Sequence, residues 1–382
     1  MNPHLAAVLG TAVLLGACST VEKLNPFAAD PPKVKPAELV ALTSSADLRT
    51  AWQAAVGAGG EYVFSPAIVG TSVYAAARDG SVARVERGAQ AWRTSLGQTI
   101  SGGVGADEKR VVVGSPKGEI IALEAQNGRE AWRVRVSSEV LAAPVVVGDV
   151  VLVRSADSRI FAFDALDGKR RWVYQRTTPA LSLRSPTGLI VAGKVAVAGF
   201  PGGKMVAIAL HNGAAVWEAT VALPKGSTEL ERVADVSGVP VAGSRDICAA
   251  AFQGHAACFD LSNGNALWGR DLSSSAGMDF DERYVYVSDD AGAVHALDRT
   301  TGASVWKQSG LSHRGLSRPV AVAGRVVVAD AQGYVHVMKR EDGSFAARSA
   351  TDGSAVSAAP QRYGNGFLVQ TRNGALVAFE LR

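Results

Sequence analysis

Seven tryptophans, Trp52, Trp92, Trp132, Trp172, Trp217, Trp268 and Trp306, recur at intervals of 40, 40, 40, 45, 51 and 38 residues, and they are the only ones in the 382-residue chain. Self-similarity at a period of about 40–45 residues marks a repeat architecture, in which each unit buries its apolar face only against its neighbours. Upstream of each Trp from Trp92 onward lie a Gly turn, a short apolar run and a second turn, as in KGEIIALEAQNGREAW (117–132) and AGAVHALDRTTGASVW (291–306). Pro66, Pro144, Pro186, Pro240, Pro319 and Pro360 each open a further β-rich run, such as PVVVGDVVLV. Each unit therefore reads as four short strands, A to D, with the Trp on strand D; alternating Val, Ile and Leu between Gly, Asp and Asn turns favours strand over helix.

Spread over residues 38–382, the pattern fits eight units and predicts an all-β, eight-bladed β-propeller of four-stranded antiparallel blades. Arg348 lies 42 residues beyond Trp306 and takes the eighth Trp position in this reading. Trp52 has no Gly-started strand before it, and the last such strand, after Gly374, has no Trp strand behind it. Pairing residues near 48–56 with residues near 375–381 joins these half-blades and leaves no open ring edge. An open solenoid or two sandwiches is the alternative, and the complementary half-blades argue against it.

The chain is 47% hydrophobic and 19% charged, which excludes a disordered polymer. A net charge of +4 with both signs mixed lacks the basic stripe that nucleic-acid binding requires. No 18-residue apolar run is present, so no membrane-spanning helix is expected. Leu5–Ala17 is uncharged and suits a signal-peptide apolar region. It ends in Leu15-Gly16-Ala17-Cys18, which resembles the bacterial lipobox and makes Cys18 the expected lipidation site after removal of residues 1–17. The n-region departs from that pattern in carrying no Lys or Arg. Residues 18–37, with four prolines, read as a semi-rigid tether, and residues 38–382 as the propeller.

The stretch Ala296-Leu297-Asp298-Arg299-Thr300-Thr301-Gly302 running to Trp306 resembles the tryptophan-docking repeat of quinoprotein (PQQ) dehydrogenases. That resemblance assigns all seven Trp a blade-docking role. Four further stretches, TPALSLR (178–184), STELERVADV (227–236), LSHRGLSRPV (311–320) and DAQGYVHVMKREDG (330–343), resemble the BamB family, the lipoproteins of the outer-membrane β-barrel assembly (BAM) machinery. The resemblance implies a non-catalytic scaffold, lipid-anchored on the periplasmic face of the outer membrane, that needs no cofactor. It implies binding to periplasmic domains of BamA through Leu181, Leu183, Arg184 and Asp235. Ser237 stands where the family has a second Asp. Holding unfolded outer-membrane proteins is a further implied role, and a closed ring gives no reason to expect more than a monomer.

Loop lengths support a docking face. The Trp217-to-Pro240 spacing exceeds its peers by about ten residues, so the D-to-A connection there is long, and its neighbour carries TPALSLR. Leu181 and Leu183 on an exposed loop are apolar surface that a partner would cover; the alternative is that both turn inward and plug the blade junction.

Chemistry is sparse. The six His form neither H-x-x-x-H nor H-E-x-x-H, so no zinc-protease motif or other metal site is read. His295 and His336 share one phase of successive C strands and read as cross-strand surface residues; His313-Arg314 lies in a D-to-A loop. Cys248 and Cys258 flank the Gln253-Gly254 turn; a disulfide suits an oxidising compartment, and two small buried thiols remain the alternative. A PQQ-dependent periplasmic dehydrogenase is the competing function, set back by the lack of adjacent cysteines and of the long insertions such sites need. A polysaccharide-binding propeller is the third, and would want aromatics around a channel mouth.

Overall fold

The computed structural model describes residues 35–382. The leader reading (Leu5–Ala17), the expected lipidation site Cys18 and most of the expected tether lie outside the described residues. The described residues form 32 strands in eight four-stranded antiparallel sheets, each with neighbouring strands consecutive in sequence except the last. Blades are numbered here in chain order from blade 1 (Ala67–Ser95), with strand A innermost. The fold is the predicted eight-bladed propeller, and it accounts for the pattern of short apolar runs. Strands B and C are buried on both faces between blades, whereas strand D alternates at the rim.

Eight apolar clusters hold the ring together, one at each blade junction. Val112, Val151 and Phe161, for example, join blades 2 and 3, and Val73, Ala75 and Leu376 join blade 1 to blade 8. The ring closes as the half-blades suggested. Leu48–Ala55 pairs with Ala375–Leu381 from Leu48 opposite Leu381 to Ala55 opposite Ala375, becoming strand D of blade 8.

The Trp positions show why the repeat needs its glycine. Trp92, Trp132, Trp172, Trp217, Trp268 and Trp306 each donate from Nε1 to a carbonyl in the C–D turn of the next blade, at 2.7–3.1 Å. The last turn residue is a positive-φ Gly; at Gly302 (φ 70°) an added Cβ would lie 2.6 Å from the Trp268 ring. Gly302→Ala is therefore expected to cost about 3 kcal/mol, combining left-handed strain with overpacking. A loss of unfolding free energy in urea below about 1 kcal/mol would contradict it. Trp52 differs: its Nε1 is buried with no partner, because the blade 1 turn is the two-residue Arg87-Gly88 and offers no equivalent carbonyl.

Arg348 is not the eighth Trp equivalent. Strand pairing puts Ala347 opposite Val337, the place that Trp306 takes opposite Ala296, and Arg348 is one residue further along. A Trp there would have no turn to dock on, since strand D of blade 8 is Leu48–Ala55 and no C–D turn joins it to strand C. Ala46 and Leu48 of the incoming arm pack against that junction instead.

His336 is likewise not a surface residue. It is fully buried, with Nε2 2.9 Å from Asp330 and Nδ1 accepting from Arg348 Nε at 3.3 Å. The neutral Nε2–H tautomer satisfies both contacts. Arg314 pairs with the same Asp330 and donates to the Ala37 carbonyl, while Arg348 donates to that of Val40. This buried cluster clamps the arm (37–46) along the rim of blade 7. Burial holds the His336 pKa below the ordinary value against the pull of Asp330. Burial alone would raise that of Asp330, but its bonds to His336, Tyr334 and Arg314 outweigh burial and lower it. Both shifts have one sign. A depressed native His pKa means that the unfolded chain takes up the proton first, so stability falls as pH drops below about 6.5. The Asp330 contribution is lost further down, as pH falls through its own lowered pKa. The His336 part of the slope has a ceiling of about 1.4 kcal/mol per pH unit, and His336→Gln is expected to flatten the thermal midpoint between pH 7 and 5. Parallel profiles would contradict it.

Cys248 and Cys258 are directly opposed on strands B and C of blade 5 and joined in a disulfide, with Cα atoms 4.0 Å apart.

Candidate partner-docking face

The D-to-A connections and B–C turns share one face of the ring. Two of those connections are long, 175–188 between blades 3 and 4 and 221–240 between blades 4 and 5, whereas 96–101 and 272–277 are short. TPALSLR lies in the first. Leu181 and Leu183 are 44% and 36% exposed, so they point outward rather than plugging the junction.

The loop is held from both sides. Asp235, from the second connection, accepts the Leu183 N–H on Oδ2 at 2.6 Å and the Gly202 N–H on Oδ1 at 3.1 Å. Arg184 makes a two-bond fork with Glu139 at 2.8 and 2.7 Å, tying the loop to the connection between blades 2 and 3. Below, Arg154 lies 5.0 Å from the Phe200 ring centre and donates to the Gly199 carbonyl at 2.5 Å. Its burial pulls its pKa down to about 10, with Asp235 acting the other way. Glu139, Arg154, Leu183, Arg184 and Asp235 border a cleft of about 280 Å³.

The arrangement brings Leu181, Leu183, Arg184 and Asp235 together but gives them different roles. Asp235 is 4% exposed, and both carboxylate oxygens are engaged inside the chain. In the free ring it positions the loop. Ser237 is buried and donates to the Ser275 carbonyl at 3.3 Å. Arg314, in another D-to-A loop, is consumed by Asp330.

Sequence reasoning missed Leu223 and Leu230, which are 62% and 73% exposed on the long connection. The signal was available: apolar residues inside an insertion that belongs to no strand. This loop is itself shaped, since Glu231 accepts the Ser227 and Thr228 N–H groups while Thr228 accepts that of Glu231.

A closed ring of Trp-docked blades defines the class, a PQQ-repeat β-propeller. Solved structures of that class include the quinohemoprotein alcohol dehydrogenase of Comamonas testosteroni, at TM-score 0.70 and 15% identity over 87% of this chain and 76% of that one, a likeness of fold alone. The model of the family described as outer membrane protein assembly factor BamB matches residues 78–308. The BamB of Bordetella pertussis is 42% identical over 97% of this chain and 95% of its own length, and that of Pseudomonas aeruginosa 41% over 99% and 98%. The crystal structure of BamB from Moraxella catarrhalis superposes at TM-score 0.82 with 28% identity, covering 87% of this chain and all of that one. The chain belongs to the BamB family.

Proposed function

We propose that this chain is a non-catalytic scaffold of the BAM complex that binds periplasmic domains of BamA and assists insertion of β-barrel proteins into the outer membrane. The observation that carries the reading is an exposed Leu pair on a loop held at Leu183 by a hydrogen bond to buried Asp235 and at Arg184 by a forked ion pair with Glu139. Preorganised apolar side chains beside an Arg are the composition of an interface anchor, because little ordering entropy remains to be lost on binding. Arg184 contributes a planar charge at the rim of the patch. Leu223 and Leu230 extend the apolar surface on the neighbouring loop. Cys18 is the proposed lipid attachment point, with residues 18–37 spacing the ring from the periplasmic leaflet. No cofactor is required for this role.

The test is affinity capture of the full-length lipidated protein from detergent-solubilised outer membranes. BamA is expected among the co-purifying chains. A purified ring that retains none of the BAM subunits would overturn the assignment.

A further inference from the structure

The axial channel holds a charge that the docking role does not use. Six residues that precede a proline at the start of strand A line it: Ser65, Ala143, Ser185, Val239, Arg318 and Ala359. Five are small or uncharged, and one is an arginine. Among the described residues the Arg318 guanidinium has no hydrogen-bonding or ion-pair partner, and its Nε is shielded from solvent without an acceptor. The nearest acid is spoken for. Asp279 pairs with Arg362 and accepts the Ala321 N–H at 2.9 Å. Two arginines thus face one carboxylate, and a net positive charge remains at the wall. Burial pulls the Arg318 pKa below its ordinary value, Asp279 offsets part of this, and Arg362 adds to it.

Arg318 is partly buried: its Nε is covered, while its terminal guanidinium nitrogens stay open to the channel with no protein acceptor among the described residues, and so can pair with an anion there. The cavity beside it has a volume of about 440 Å³, within the range of roughly 300–1,000 Å³ typical of small-molecule sites. A single inorganic ion would leave most of that space empty. The hydroxyls of Ser65 and Ser357 line the same cavity and, among the described residues, make no side-chain hydrogen bond, so they are free to donate to an oxyanion.

We propose that the channel is a binding site for a small organic anion, a carboxylate or a phosphate monoester, whose oxyanion pairs with Arg318. The channel adjoins the cleft under the Leu181–Arg184 loop, sharing Leu141, Ala142 and Ser185 with it, but the proposal stands whether or not that loop docks BamA.

Calorimetric titration of the full-length protein in detergent at low chloride tests it, with citrate, glycerol 3-phosphate and inorganic phosphate as probes. Citrate or glycerol 3-phosphate is expected to bind one equivalent with submillimolar affinity, and the stronger of the two identifies the oxyanion. Arg318→Gln should weaken that binding at least tenfold, and Arg318→Lys by less. A footprint on the unmodified sequence guards against a misfolded variant. The organic anion should slow phenylglyoxal modification of Arg318 at least fivefold while leaving exposed arginines unchanged. Absence of binding by both organic anions, equal affinity in Arg318→Gln, or an unprotected Arg318 would each overturn the proposal. Saturation by inorganic phosphate alone would overturn the organic-ligand assignment.

Discussion

Deleting residues 37–55 is expected to abolish cooperative folding, not merely to lower the thermal midpoint. That segment supplies strand D of blade 8, and it serves two junctions at once. Ala46 and Leu48 pack into the cluster between blades 7 and 8, and Trp52 and Ala54 into the cluster between blades 8 and 1. Losing a packed Trp alone costs about 3–5 kcal/mol, and each lost strand hydrogen bond about 1 kcal/mol more. The sum meets or exceeds the ~5–15 kcal/mol stability of a typical domain. The two termini supply a control. Asp47 and Arg382 exchange backbone hydrogen bonds at 3.1 and 3.0 Å, the geometry of a hairpin lacking its turn. A permuted chain that begins at Gly57 and carries 47–56 after a short Gly-containing turn at Arg382 should regain one sharp unfolding transition. The deletion should show dye-binding apolar surface and a broad transition by circular dichroism. A sharp native-like transition in the deletion would refute closure by the N-terminal strand.

The second large effect concerns binding. Leu181→Ala combined with Leu183→Ala should weaken BamA capture about 100-fold, the equivalent of about 3 kcal/mol shared by two interface anchors. Stability should stay within about 0.5 kcal/mol, because both side chains face solvent in the free ring. Asp235→Ala should behave differently. It strips the acceptor from two backbone N–H groups, so it should lower stability by about 1–3 kcal/mol and loosen the loop as well. Surface-plasmon affinity alongside urea denaturation separates the two patterns. A Leu pair that lowers stability as much as Asp235→Ala would mean that the side chains are core, not interface.

Much of the ring was legible in the sequence because its physics is periodic. Trp spacing, Gly-started strands and pre-strand prolines repeat the same packing problem, and each repetition confirms the others. Closure was readable because one half-blade lacked what the other supplied. The failures have a common cause: they fall where the period is broken. Counting 42 residues from Trp306 selected Arg348, but the true equivalent is Ala347, displaced because the missing C–D turn removes the need for a Trp. His336 was read from its strand phase as a surface residue; its burial depends on an arm 300 residues away in sequence, together with Asp330, Arg314 and Arg348. The bonds of Asp235 to the Leu183 and Gly202 backbone were not legible either. Long-range polar pairing of this kind leaves no local signature in composition or spacing.

The docking claim is tested most directly by placing a photo-activatable cross-linker at single sites in living cells. Leu183 lies on the face carrying the long loops, and Leu166, 75% exposed, lies in a C–D turn on the opposite face of blade 3. Irradiation should give one dominant adduct to BamA from position 183 and none from position 166. An adduct to BamA from 166 with none from 183 would place the interface on the wrong side of the ring and contradict the account.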